Sequence, residues 1–223
     1  MRAQNNMSRR AFVKGAASFA VLASAGGLLS ACSAAGGEGS SASDAAASSA
    51  QDAASSSSAA AAAGASTLVA YYSATGHTEA VAQMIADKLG ADLFAIEPAD
   101  PYAEADLDYQ DADSRVSREH DNYERIIDLV QSTPEGFEGY QTVFIGYPIW
   151  WGENSWVVNS FAIDNDFTGK KVVPFCTSAS SPIGTTGEDL AAMAGTGDWA
   201  EGRRFAAGAS ADEVSSWVDE LGV

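Results

Sequence analysis

The stretch from Thr67 to Thr78 reads TLVAYYSATGHT, an apolar run followed at once by small, polar and flexible residues. A continuous apolar run of this length predicts a strand that is covered on both faces, as in a parallel sheet. Directly after it, over residues 80–89, apolar side chains recur at helical spacing. Residues 73–78 are therefore predicted to form the turn between a buried strand and the N-terminus of a helix.

The same alternation of strand and helix patterns continues to the end of the chain. Further strands are predicted at 91–96, 142–150, 171–178 and 201–208, and helices at 123–132, 155–163, 187–195 and 211–223. Alternating strands and helices predict a doubly wound parallel sheet with helices on both faces. Five strands suit the order 2-1-3-4-5, in which ligands bind beyond the carboxyl ends of the strands, near strands one and three.

Composition divides the chain into three parts. Residues 33–66 are almost wholly Ala, Ser and Gly, without an aromatic or a large aliphatic side chain. Such a segment cannot offset its ordering entropy, so we expect a disordered tether. The remaining 67–223 are long enough for one domain with a core of ordinary size.

Residues 1–32 resemble an export signal. Ser8, Arg9, Arg10, Phe12 and Lys14 stand where a twin-arginine signal has its defining residues, and a short, weakly apolar stretch follows them. The sequence LSAC that ends at Cys32 resembles the lipobox of bacterial lipoproteins, in which the cysteine is lipidated. We expect a twin-arginine lipoprotein signal and a domain anchored to the outer face of the cytoplasmic membrane. A chance cysteine after an ordinary signal peptide is the alternative.

The chain is strongly acidic, with 12 Lys and Arg against 30 Asp and Glu and a formal net charge of −18. Such a surface is repelled by nucleic acid, so no nucleic-acid partner is expected. The charge has two interpretations, solubility alone or a docking field for a basic partner, and composition does not separate them.

The turn at 73–78 has the chemistry of a phosphate site. A helix N-terminus offers backbone N–H groups and the positive end of its dipole, and Gly76 allows close approach of the backbone. Ser73, Thr75 and Thr78 add hydroxyl groups. The pattern is neither GxGxxG nor GxxxxGK[ST], so it favours a phosphate monoester over a dinucleotide or a nucleoside triphosphate. An N-cap without a ligand is the alternative.

The sequence SATGHT resembles the [ST]-x-T-G-x-T phosphate loop of flavodoxins. YPIWWG at 147–152 and PFCTSASSPIG at 174–184 resemble two flavin-flanking loops of flavodoxin-like proteins, so the resemblance covers 67–223. It implies the flavodoxin-like fold and FMN as the cofactor. The residues it assigns to FMN are Ser73, Ala74, Thr75, Gly76, His77 and Thr78; Pro148, Ile149, Trp150, Trp151 and Gly152; and Thr177, Ser178, Ala179, Ser180 and Gly184.

Aromatic, histidine and cysteine residues need separate interpretations. Either Trp150 or Trp151 is predicted to stack on the flavin, because adjacent side chains at a strand end cannot both enter one core. Trp156, Trp199 and Trp217 are expected in the core, and Cys176 is expected to be a buried small hydrophobe. His77 stands where Asn or Gln is more usual, and either contacts phosphate or is exposed without a role. His120 has no partner at metal-ligand spacing and is expected on the surface.

The resemblance implies a redox function, and three hypotheses remain. The first is an FMN-binding electron carrier that serves a redox partner protein. The second is an FMN-dependent NAD(P)H:quinone or azo-type reductase, and the third is a flavin-free binding lipoprotein on the same scaffold. The carrier is favoured because free NAD(P)H is expected to be scarce outside the cytoplasmic membrane and no nicotinamide-binding fingerprint is present.

Overall fold

A parallel sheet organises the residues that the computed structural model describes, which are 66–122 and 125–223. The predicted signal peptide, the predicted lipidation of Cys32 and all but the last residue of the predicted tether lie outside the described residues. Within the described ranges, none of the helices has both the length and the apolar character needed to span a bilayer.

The described part of the chain contains seven strands and five α-helices. The strands are β1 (Thr67–Tyr71), β2 (Asp92–Ala95), β3 (Thr142–Trp150), β4 (Glu153–Asn154), β5 (Lys171–Thr177), β6 (Asp198–Trp199) and β7 (Arg203–Phe205). The helices are α1 (His77–Leu89), α2 (Arg115–His120), α3 (Val157–Asp164), α4 (Thr186–Ala194) and α5 (Ala211–Leu221). Two short 3₁₀ turns, Glu104–Leu107 and Phe137–Gly139, lie in the connections.

The strand order β2-β1-β3-β5-β6, with all pairs parallel, confirms the predicted order 2-1-3-4-5. The prediction of one continuous fifth strand at 201–208 is wrong, because β6 and β7 share that position and pair with different parts of β5. The gap between them faces Pro174. The carbonyl of Val172 accepts from Ala200 N, so the backbone of Val172 points toward β6. Pro174, two residues further along β5, points to the same side but has no N–H with which to pair.

Helices cover both faces of the sheet, as predicted. On one face α1 and α5 bury a core that includes Ile85 and Trp217. On the other face the core includes Trp156 and Phe161 of the α3 region, and the half-buried Trp199 packs against it. The three tryptophans expected in the core therefore pack where the sequence places them.

The predicted helix at 123–132 is wrong for the residues that the structure describes there. Residues 125–132 are irregular and run beside the chain that follows β2. An isolated antiparallel bridge joins Pro98 to Leu129, and Val130 N donates to Glu97 O. Bonds to a neighbouring segment thus replace the intrahelical ones, which shows that tertiary contacts outweigh a weak helical pattern.

Candidate functional site

A cavity of about 580 Å³ opens where the carboxyl ends of β1, β3 and β5 meet. Ten residues from the three predicted loops line it: Ala74, Thr75, His77, Pro148, Ile149, Trp150, Trp151, Thr177, Ser178 and Ala179. The other predicted residues, Ser73, Gly76, Thr78, Gly152, Ser180 and Gly184, lie in the same loops but do not line this cavity. The fold therefore brings the three loops to one place.

Four lining residues were not identified from the sequence: Leu107, Tyr109, Val116 and Ala207. Three of them belong to the long polar segment that precedes β3, which therefore forms one wall of the cavity. Leu107 and Tyr109 are the only large apolar side chains of the acidic run ADLDYQDAD. Two large apolar side chains isolated in an acidic run could have indicated, from the sequence alone, that this segment packs against the cavity.

The N-terminus of α1 is open to an anion. Its N-cap residue, Gly76, has φ of 84° and no side chain caps the helix through a hydrogen bond. A left-handed residue at this point is tolerated without cost by glycine alone. The first amides of the helix therefore keep their hydrogen-bonding capacity for a ligand.

The three hydroxyls of this loop have different environments. Ser73 Oγ is buried and has no hydrogen-bond partner among the described residues, whereas Thr75 is exposed and lines the cavity. Thr78 is buried, and its Oγ1 lies 2.8 Å from Thr177 Oγ1. A hydroxyl pair uses only one of its two protons internally, so one donor remains for a ligand.

Trp151 occupies a strained turn. It forms with Gly152 the two-residue connection of the β3–β4 hairpin, and both have positive φ, 49° and 85°. Positive φ at both positions defines a type I′ turn, which Asn and Gly favour. A tryptophan with this backbone costs about 1–3 kcal/mol. The turn leaves Trp151 43% exposed at the cavity, while Trp150 is half-buried in its wall.

An aromatic cluster supports the two tryptophans of the cavity. Trp150 meets Tyr72, Tyr102 and Trp156 edge-on, with ring centroids 5.7, 5.6 and 4.8 Å away. Trp151 stacks on His120 at 4.6 Å. The His120 side chain, predicted to lie on the surface, is 29% exposed, and through it the end of α2 packs against the hairpin tip.

Arg204 of β7 fixes the third loop. Its Nη2 donates to Ser178 O and Ala179 O, each at 2.8 Å, and its Nε donates to Ser178 Oγ at 3.0 Å. Ser178 Oγ in turn donates to Ser181 O. Nothing in the sequence distinguished this arginine from Arg203 beside it, because only the register of β7 decides which one faces the loop.

Cys176 is fully buried beneath the same loop. Burial raises the pKa of its thiol to about 12. The prediction of a buried small hydrophobe is confirmed, since a thiol with this pKa stays protonated at neutral pH. No group of His, Cys, Asp or Glu side chains within 66–122 and 125–223 could hold a metal ion.

Comparisons with known proteins agree with this geometry. The family model described as Flavodoxin matches residues 66–221. A candidate flavoprotein from Bacteroides eggerthii is 38% identical, with a TM-score of 0.64, and the match covers 70% of this chain and 98% of that chain. One from Bacteroides uniformis is 37% identical, with a TM-score of 0.65 and a coverage of 70% and 99%. Among curated proteins, none matches the chain.

Proposed function

We propose a function from one premise: the chain belongs to the flavodoxin family. The cavity holds FMN, and the protein transfers electrons through it. The observation that carries this proposal is the uncapped N-terminus of α1 beside the buried, unpartnered hydroxyl of Ser73, next to a mostly aromatic and apolar cavity. A buried donor without a partner is rare in a folded protein, and a phosphate oxygen would satisfy it.

The residues present fit FMN at both ends of the molecule. Residues 73–78 would hold the phosphate through backbone amides and hydroxyls, without a lysine. Trp150 and Trp151 would flank the flat ring, and the backbone of 177–179 would meet its polar edge. A cavity of about 580 Å³ lies within the usual range for small-molecule sites, roughly 300–1,000 Å³.

When bound, FMN supplies the redox chemistry, and the protein supplies binding, orientation and electrostatics. The cavity wall formed by 104–113 carries five carboxylates, those of Glu104, Asp106, Asp108, Asp111 and Asp113. None of them forms an ion pair within the described residues. Negative charge at this rim disfavours a reduced, anionic flavin and favours a basic redox partner.

The domain acts outside the cytoplasmic membrane, held there by a lipid on Cys32. This part of the proposal rests on the paired arginines and the LSAC sequence. Incorporation of labelled fatty acid into the full-length chain tests it, with Cys32→Ser as the control. Equal labelling of the two proteins would refute the anchor.

The test of the cofactor is a visible spectrum of the purified protein after FMN is added and the excess removed. The Kd follows from the quenching of FMN fluorescence on titration. Thr75→Ala removes an exposed hydroxyl at the phosphate end, and a hydrogen bond to a charged group contributes about 1.5–3 kcal/mol. We therefore expect a Kd roughly 10 to 150 times higher.

Thr133→Ala is the matched control, because Thr133 is also exposed and lies outside the cavity. A protein that takes up no FMN would refute the proposal and leave the binding lipoprotein. An anaerobic titration with NADH then separates the two redox hypotheses. Rapid bleaching of the bound flavin by NADH alone would favour the reductase over the carrier.

A further inference from the structure

The carboxylate of Glu119 is a meeting point for three side chains behind the cavity. Its Oε2 accepts from Tyr102 OH at 2.5 Å and from Trp156 Nε1 at 2.7 Å. Its Oε1 accepts from Arg115 Nε at 2.7 Å. Only 18% of the Glu119 side chain is exposed. Although Glu119 belongs to a polar, acidic segment, its carboxylate therefore binds other side chains and not solvent.

The two aromatic donors are the rings that support the tryptophans of the cavity. Tyr102 meets Trp150 at 5.6 Å, and Trp156 meets Trp150 at 4.8 Å. Trp156 also stacks on Trp151, with centroids 6.0 Å apart and an interplanar angle of 26°. Glu119 itself does not line the cavity. Glu119 therefore makes no direct contact with a ligand in the cavity, and Tyr102 and Trp156 connect it to the lining tryptophans.

A partly buried carboxylate is a costly way to fill space. Replacing a buried ion pair by well-packed apolar groups is often neutral or favourable for stability. What the carboxylate adds is geometry, because one oxygen that accepts from two rings fixes their mutual orientation. Arg115 completes the arrangement, since its guanidinium lies 4.0 Å from the Tyr102 ring centroid as well as against Glu119.

We propose that Glu119 is the positioning residue of the cofactor site. It fixes Tyr102 and Trp156 so that Trp150 and Trp151 are preorganised for a flat aromatic ligand before that ligand binds. The inference rests on the proposed function, namely that the cavity holds FMN. Preorganised side chains lower the entropic cost of binding, so loss of the carboxylate weakens binding without removing any contact to the ligand.

The test compares three variants of the purified protein. Glu119→Leu removes the acceptor, Glu119→Gln keeps one oxygen that can accept from both rings, and Glu135→Gln changes an exposed carboxylate that lies outside the cavity. Two quantities are measured, the Kd for FMN and the near-ultraviolet circular dichroism of the flavin-free protein. The second reports how firmly the aromatic rings are held.

We expect Glu119→Leu to raise the Kd for FMN about tenfold or more and to reduce the aromatic dichroism. Glu119→Gln should restore both to within about threefold of the wild type, and Glu135→Gln should change neither. Rescue by glutamine separates positioning from a contribution of charge. A folded Glu119→Leu protein with the wild-type Kd and the wild-type aromatic signal would overturn the inference, as would a Glu119→Gln protein that is no better than Glu119→Leu.

Two further variants keep the test decisive where Glu119→Leu does not fold. Tyr102→Phe and Trp156→Phe each remove one donor and retain an aromatic ring, without leaving a buried charge alone. Each should raise the Kd for FMN several-fold, and wild-type affinity in both would overturn the inference. A wild-type protein that does not bind FMN refutes the proposed function instead, and the dichroism of the same variants then decides whether Glu119 orders the rings.

Discussion

The hydrogen bond between Thr78 and Thr177 joins two loops of the site that lie 99 residues apart in the chain. Thr78 belongs to the first turn of α1 and Thr177 ends β5, and both side chains are buried, at 1% and 5% exposure. Replacing either residue by valine keeps its shape and removes its hydroxyl. The remaining hydroxyl is then left buried without a partner, at a cost of about 1–3 kcal/mol.

The double variant Thr78→Val/Thr177→Val leaves no buried hydroxyl without a partner, because it replaces both polar side chains by apolar ones of similar shape. Its unfolding free energy should lie within about 1 kcal/mol of the wild type, although each single variant loses about 1–3 kcal/mol. In a domain of this size, 1 kcal/mol lowers Tm by roughly 2–4 °C. Urea denaturation of the flavin-free wild type, both single variants and the double variant completes a double-mutant cycle, which gives the interaction energy of the two hydroxyls.

The refuting result is additivity. If the loss in the double variant equals the sum of the two single losses, the hydroxyls do not interact and the two loops are not joined here. The same four proteins also test the ligand. Because the pair retains one free proton, the wild type should bind FMN more tightly than the double variant, whose folded state is otherwise intact.

Three further predictions concern the core, the hairpin and alkaline pH. Gly146→Ala should lower the unfolding free energy measured in urea by about 1–3 kcal/mol or more, since its new Cβ would lie 2.2 Å from Phe175 Cζ. Gly208→Ala is the control, because a Cβ there would meet no atom within 4 Å. Equal losses in the two variants would contradict the prediction. Trp151→Asn should weaken FMN binding, because it removes a ring that lines the cavity while keeping a residue that the turn favours. Undiminished affinity would exclude Trp151 from the site. The unfolding free energy should fall between about pH 9 and pH 12, because the pKa of the Cys176 thiol is raised to about 12 in the folded protein and the thiol therefore ionises first in the unfolded chain. Urea denaturation at several pH values should show a smaller decrease of the unfolding free energy with pH for Cys176→Ala than for the wild type. An equal decrease would assign the loss to other groups such as Tyr71.

The sheet and the three loops could be predicted from the sequence because their signals are local. Strand β1 is a continuous apolar run, and the residues after it supply a turn and a helix start within a few positions. Once the strand order is fixed, the loops after β1, β3 and β5 must meet, since the carboxyl ends of parallel strands share one edge. Ten of the predicted site residues therefore line the cavity without any information on contacts.

What could not be predicted depends on contacts between distant segments. Arg204 reaches the loop after β5 only because of the register of β7, and the sequence does not encode that register locally. The segment from Leu107 to Glu119 reads as a solvated acidic stretch, yet it supplies a cavity wall and an internal acceptor. A single polar residue that bonds several distant partners produces no periodic pattern in the sequence. A prediction from composition therefore assigns it to the surface.

The tryptophan in the strained hairpin lies at the mouth of the cavity. The positive φ of Trp151 costs about 1–3 kcal/mol, which Asn would avoid. Its stacking on His120 and Trp156 contributes about 0.5–1.5 kcal/mol for each pair, in addition to the apolar area that the ring buries, so these contacts offset the strain. The turn holds a large ring, 43% exposed, at the mouth of the cavity, where it can contact what the cavity binds. Glu119 supports this arrangement from behind, since its carboxylate accepts from Trp156, on which Trp151 stacks, and from Tyr102, which meets Trp150.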